Sequence, residues 1–288
     1  MKKNAIVGAT GMIGKPVTQA FVDAGYEVSA FVRNIERARK VLPEAVQLVQ
    51  GDLENLLKLE IFLKDADYLY LNLSPDKKAG PKKWQPEREG LANVLAIAKK
   101  MGVKRVGFIS SIVQRYQGVN NFDWWIFEIK NLAVDKIKES GLPYVIFYPS
   151  NVMETLPATI QGNKLLYAGK PQYKNWWIAG YDYGKQIAKA FEVIPTDENR
   201  EYVIQGPEAL TFHEASDIFL QYYSNQKLTP MKVPLWLIKF FGIFSKEANY
   251  AGHIIEALDK YPEKFEAQRA WDELGKPETT VAQFAKSL

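Results

Sequence analysis

The sequence contains no cysteine. That excludes a thiol nucleophile, a disulfide framework and any cysteine-ligated zinc or iron–sulfur centre. Histidine is almost as scarce: His213 and His253 are the two, and neither stands in an HExxH spacing, so no metal centre is expected. Charge of one sign is also in short supply. Lys and Arg number 37 against 33 Asp and Glu, a net of +4. That is too little to point to nucleic acid without a motif, and none is present. Long apolar runs are missing as well. Ala5-Ile6-Val7 is stopped by Gly8 and Thr10 before a secretory core can form. The most apolar later stretch, 233–244, is interrupted by Lys239 and Gly242. It has about half the length a membrane span needs, and is expected to be buried in a small lobe. These absences predict a cytoplasmic protein with neither nucleic acid nor membrane among its partners, leaving oligomeric state open.

What the chain has is 288 residues, 47% hydrophobic and 24% charged. That suits one large domain, or a domain with a smaller cap, burying roughly three quarters of its unfolded surface. Short apolar runs at 5–7, 28–32, 46–49, 68–73, 106–109 and 144–148 read as strands covered on both faces. Between them, Ile13, Val17, Ala20, Phe21 and Ala24 recur at helical spacing and stop at Gly25. Leu91, Val94, Leu95 and Ala98 do the same before Gly102. Strand–helix alternation predicts an α/β fold, a doubly wound parallel sheet with right-handed crossovers. The boundaries expected are 1–150 for this domain and 151–288 for a smaller, mostly helical lobe, with about 178–206 returning to the sheet. Helices are expected over 183–193, 212–223 and 234–260, the middle one opened by a Thr211–Glu214 capping box.

The strongest signal is Gly8-Ala9-Thr10-Gly11-Met12-Ile13-Gly14, leaving the first strand and entering the first helix. Gly8 permits the tight turn, Gly11 lets main chain approach a pyrophosphate, and Gly14 lets the helix pack close to the strand. The amides at the helix start then face the phosphates. Arg33 stands 19 residues past Gly14, where an NAD-selective site would carry an acid, and Arg37 lies one helical turn on. Guanidinium forks suit a 2′-phosphate, so NADP(H) is expected in preference to NAD(H).

GATGMIG, then Phe31-Val32-Arg33-Asn34, then Gly51-Asp52-Leu53 resemble the extended short-chain dehydrogenase superfamily, and more narrowly its NmrA-like, atypical branch. Phe108-Ile109-Ser110-Ser111, Ser140 to Tyr144, Tyr148 to Glu154 and Gln205 to Phe212 agree, so the resemblance runs over about residues 4–220. It implies that Asp52 and Leu53 lie by the adenine and Leu73 and Ser74 along the ribose. It places Tyr148, Pro149 and Asn151 at the nicotinamide, and puts Lys130 at the lysine of the Tyr-x-x-x-Lys element. The tyrosine position holds Ile126, which cannot exchange a proton.

Two readings follow. In one, the protein is a reductase of a small carbonyl, quinone or enone. It works like isoflavone-reductase-like relatives that lack the tyrosine and use the lysine. Ser110 or Ser111 would then hydrogen-bond the carbonyl, and Tyr116 or Tyr148 would replace the phenol. In the other, it binds NADP(H) without chemistry and signals the redox state to a regulatory protein partner. A nucleotide-sugar epimerase fits less well, because that class relies on the tyrosine. Trp125 and Met153 are candidates for lining an apolar substrate pocket. The lysines of the loop at 77–83 are expected to be solvated, His213 is read as structural or solvated, and His253 is given no role.

Overall fold

The apolar runs form strands because both of their faces find cover, and in a computed structural model, which describes residues 2–288, they pair in parallel. In chain order the first half is β1 (Lys3–Val7), α1 (Gly14–Asp23), β2 (Glu27–Val32), α2 (Ile35–Arg39), β3 (Gln47–Gln50), α3 (Leu56–Leu63), β4 (Tyr68–Leu71), α4 (Leu91–Lys100), β5 (Arg105–Ile109), α5 (Trp125–Glu139) and β6 (Tyr144–Pro149). The second half adds α6 (Thr155–Ala158), β7 (Ile160–Gln161), β8 (Lys164–Ala168), β9 (Asn175–Trp177), α7 (Gly180–Val193), β10 (Arg200–Ile204), β11 (Glu208–Leu210), α8 (Phe212–Tyr222), β12 (Thr229–Val233), α9 (Leu235–Phe241), α10 (Lys246–Lys260), α11 (Gln268–Leu274) and α12 (Val281–Ser287).

The main sheet has seven strands in the order β10-β6-β5-β4-β1-β2-β3. The connection reverses between β1 and β4, the switch point where open parallel sheets of this Rossmann type hold their ligands. Strand β4 shows why the runs are apolar throughout. Tyr68 and Tyr70 enter the core on one face with Phe21, Phe147 and Phe191, while Leu69 and Leu71 enter the core on the other with Val94, Phe108 and Ile146.

Beyond β6 the chain builds a largely helical lobe that also carries two small sheets, β9 with β11 and β7 with β8 and β12. Its interior is filled by Met153, Leu165, Trp177, Phe219 and Phe284. Strand β10 returns to the edge of the main sheet, in register with β6 from Arg200↔Val145 to Ile204↔Pro149.

Two expectations fail here. Residues 234–260 are not one helix: the chain turns after Phe241, and Ser245 Oγ caps α10 by accepting from Ala248 N at 3.2 Å. Nor is 233–244 buried. Helix α9 has no buried residue, and Trp236 and Phe244 are 69% and 79% exposed. The physical reason is that α8, α12 and β8 already fill the lobe's interior, so α9 rests on α10 from outside. No helix among the described residues is long and apolar enough to cross a membrane.

Candidate cofactor and substrate site

Strand β1 delivers the chain into Gly8, whose φ is +82° and where a Cβ would lie 2.1 Å from the Asn72 carbonyl oxygen. Gly11 N donates to Gly8 O at 3.1 Å and closes the turn. At Gly14 a Cβ would lie 2.1 Å from Gly8 O and 2.8 Å from Ala9 O, so helix α1 can start this close only on glycine. That start has no side-chain cap and no acid in its first turn, which leaves its positive end to an anion. Thr10, Gly11 and Met12 are exposed and Ile13 is half-buried. The bend is therefore a cradle of main chain, and it fits a pyrophosphate.

Asn72 is part of this cradle and was not anticipated. Its backbone N donates to Val7 O at 2.9 Å and its side-chain Nδ2 to Gly8 O at 3.2 Å, so the end of β4 is tied to the loop. Its position in Leu71-Asn72-Leu73-Ser74, just past a strand end at the switch point, was the available signal.

Arg33 follows the end of β2. Val7 pairs with Phe31, so Arg33 lies one step beyond the level of Gly8 on the neighbouring strand. Both Arg33 and Arg37 are exposed, and the segment between them is held by its backbone. Asn34 Oδ1 accepts from Arg37 N at 2.8 Å, capping α2, and Gln50 Nε2 donates to Arg33 O at 3.2 Å. Asp52 is exposed at the end of β3, and its Oδ1 accepts from Glu54 N at 3.0 Å. Leu53 is buried against Gly90, Leu73 is buried in the core, and Ser74 is exposed after β4.

At the ends of β5 and β6, Ser110 is buried and its hydroxyl donates to Gln114 Oε1 at 2.5 Å, while Ser111 is half-buried. Pro149 closes β6, and Asn151 Nδ2 donates to Asn175 Oδ1 at 3.2 Å. Beside them Glu263 accepts from Ser150 Oγ at 2.8 Å and Gln205 Nε2 at 2.6 Å, and burial raises its pKa. The two tyrosines expected to replace the missing phenol are engaged elsewhere. Tyr116 lies inside the core against Phe122. Tyr148 donates its hydroxyl proton to Glu201 Oε2 on the edge strand at 2.7 Å, and burial together with that carboxylate holds the phenol well above its ordinary pKa. Met153 is wholly inside the core of the C-terminal lobe.

Lys130 Nζ bonds Glu87 Oε1 at 2.9 Å. Glu87 is fully buried in the π-helical turn Pro86–Gly90 that leads into α4, and its Oε2 has no partner among the described residues. Burial raises the Glu87 pKa, and the Lys130 charge opposes the shift. Ile126, one turn earlier on α5, is buried, yet it borders a cavity of about 350 Å³ whose other walls include Lys77, Trp124, Trp125, Phe244 and Tyr250. Helix α10 forms this wall. The Lys77 ammonium stands 3.5 Å from the Tyr250 ring centre, the Trp124 and Tyr250 ring centres are 5.1 Å apart, and His253 stacks on Trp124 at 5.4 Å. Burial first, and the Glu87 charge second, push the Tyr250 phenol up to about 12. The cavity thus brings Trp125 and Ile126 together with a phenol, Tyr250, that no motif marks.

Two roomier cavities, of about 580 and 550 Å³, do not touch Ile126, and none of the three is lined by the glycine loop. The second, in the C-terminal lobe, is lined by Tyr167, His213, Trp236 and Asp259. Asp259 Oδ2 accepts from Lys170 N at 2.7 Å, and burial pushes its carboxyl from the ordinary 3.8 up to about 6. Between those two values the folded chain holds a proton that the unfolded chain has released, so stability falls as pH rises through that window. Allowing for partial solvent screening, the ionised form costs about 1 kcal/mol at neutral pH. Asp259→Asn keeps an acceptor for Lys170 N. It is expected to raise the unfolding temperature by about 2 °C at pH 7.5 and to leave it unchanged at pH 4. Equal shifts at both pH values in thermal unfolding would contradict this assignment.

The family described as NAD(P)H-binding matches residues 8–175. Photosystem II assembly factor Ycf39 of Guillardia theta is 22% identical over 278 residues, covering 88% of this chain and 80% of that protein. Among solved structures, Citrobacter sp. triphenylmethane reductase complexed with NADP(H) superposes with a TM-score of 0.76 at 18% identity, over 99% of this chain and 100% of that one. The NADPH-dependent quinone oxidoreductase of Escherichia coli, complexed with NADPH, gives 0.75 at 18% identity over 99% of each. At such identities these two structures speak for the fold.

Proposed function

We propose, since this chain belongs to the NAD(P)H-binding family in its NmrA-like branch, that it is an NADPH-dependent reductase of a small, flat, apolar acceptor, a quinone or an enone. The observation that carries this reading is the aromatic-walled cavity of about 350 Å³ beside Ile126, at the position the family fills with tyrosine. NADPH, when bound, supplies the hydride; the acceptor takes up a proton to complete the reduction. The chain's own residues do the rest. The glycine loop would hold the pyrophosphate, Arg33 and Arg37 the 2′-phosphate, and Trp125 a flat face of the acceptor. Tyr250 then donates its hydroxyl proton to the acceptor oxygen. The phenol holds its proton at neutral pH, and its raised pKa makes it a weak acid, which suits an acceptor that demands little of one. The pair of half-buried Lys130 and buried Glu87 positions α5 against the turn into α4.

A quinone asks little of such an acid, because water can protonate the reduced product. Tyr250→Phe is therefore expected to lower kcat for NADPH oxidation by about tenfold across a panel of quinones and enones, with the NADPH dissociation constant unchanged. Unchanged kcat would remove Tyr250 from the chemistry.

A second reading, a cofactor-binding regulator with no turnover, is favoured by Ile126 and by the commitment of Lys130 to Glu87. Tight NADPH binding with no turnover on any acceptor of the panel would select it. A cytoplasmic location belongs to both readings.

A further inference from the structure

Helix α9 carries Trp236 and Phe240 one turn apart on one face, and the turn after it carries Ile243 and Phe244. All four are exposed, by 69%, 52%, 72% and 79%, and Phe241 beside them by 54%. The ridge is ordered: the Phe240 and Phe244 rings meet edge to face at 6.0 Å, and Lys239 Nζ pins α9 to Glu256 on α10 at 2.5 Å. Contiguous exposed aromatic surface of this kind marks an interaction site.

Charge decides what covers it. From residue 218 to 246 the chain has no carboxylate and four lysines, Lys227, Lys232, Lys239 and Lys246, of which Lys239 is paired with Glu256. The loop after β4 adds Lys77, Lys78, Lys82 and Lys83 against the single acid Asp76. That loop abuts the tip of the ridge: Lys246 Nζ donates to Lys78 O, Lys78 pairs with Glu247 at 3.3 Å, and Lys77, Gly80, Ile243 and Phe244 border one cavity. Lys82 and Lys83 are exposed. An aromatic ridge with a lysine collar is the composition of a helix lying in the headgroup layer of a membrane, with its rings at the acyl boundary and its ammonium groups among the phosphates.

We infer that the α9–α10 tip docks this protein on the surface of an anionic lipid bilayer, as a peripheral contact and not a span. Bound this way, the protein has the mouth of the Tyr250 cavity at headgroup level, since Phe244 belongs to both. The docking itself needs neither cofactor nor turnover.

The test uses the full chain and sedimentation with vesicles of phosphatidylglycerol and phosphatidylcholine against vesicles of phosphatidylcholine alone. Partition is expected into the anionic vesicles and to weaken with salt. Trp236→Ser with Phe240→Ser, and separately Lys82→Glu with Lys83→Glu, should each lower it by at least about tenfold. Because the chain has no cysteine, Phe241→Cys gives a single labelling site. A polarity-sensitive dye there should shift to the blue on anionic vesicles, and unchanged thermal unfolding of each variant shows that folding is intact. Three results overturn the inference: no partition into anionic vesicles at low salt, partition indifferent to both double substitutions, or a concentration-dependent dimer that the serine substitutions dissolve. The last would assign the ridge to a second copy of the chain.

Discussion

Gly11→Val is expected to weaken NADPH binding by at least about 100-fold in calorimetry while costing about 1 kcal/mol or less of stability. Gly14→Ala is expected to do the reverse in order of severity, unfolding first. The difference lies in what each new side chain meets. At Gly11 a Cβ would stand 3.3 Å from Gly8 O and 3.5 Å from Asn72 Nδ2, contacts that small shifts relieve, and the residue is exposed on the side where the diphosphate must approach. At Gly14 the new atom would stand 2.1 Å and 2.8 Å from two main-chain oxygens. Main chain cannot rotate away, so the start of α1 must shift, at a cost of about 3 kcal/mol. Gly11→Val binding NADPH as tightly as the parent would remove the cofactor site from this loop.

Replacing Arg33 and Arg37 together by alanine is expected to weaken NADPH binding by roughly 100-fold, about 2.7 kcal/mol, and to leave NADH binding within about twofold. Both guanidinium groups are exposed and stand on a backbone fixed by the Asn34 cap and by Gln50. The 2′-phosphate would therefore meet donors whose main chain is already in place. The loss should shrink as salt is raised, because an exposed charge pair is screened. Equal losses for the two nucleotides in parallel titrations would mean that the arginines hold the adenosine generally and do not select the phosphate.

These two expectations separate cofactor from reaction. In both proposed readings the loop and the arginines serve binding alone, so the reductase and the regulator would depend on them equally. In the proposed reductase the cavity beside Ile126 bears on turnover, with Ile126 where the resemblance puts a tyrosine. The phenol comes from α10, far along the sequence, and the lysine is tied to Glu87.

How legible each part was follows from how local its cause is. Strands β1 to β6, the glycine bend and the Arg33–Arg37 pair could be read from sequence because each rests on neighbours a few residues apart: alternation of apolar runs, a turn that needs glycine, and a one-turn spacing. Strands β9, β11 and β12 are three to five residues long and depend on partners tens of residues away, so no local pattern announces them, while β7 and β8 form a hairpin across Gly162-Asn163 with only two and five residues in its arms. The break between α9 and α10 was marked by Gly242 and Ser245 but outweighed by the apolar stretch around it. Tyr116, Tyr148 and Met153 are aromatic or apolar residues near motif positions, and whether such a side chain faces a ligand or the core is set by what packs on it.

The sequence by itself determined the doubly wound sheet and the glycine bend into α1, since these follow from residue type and short-range spacing. Only the tertiary structure decided that Glu87 pairs with Lys130, that Tyr250 shares a cavity with Ile126, and that the apolar face of α9 is left outside. Each of those depends on which distant elements compete for the same buried space, and that competition is settled by packing density and desolvation across the whole chain, not by any segment alone.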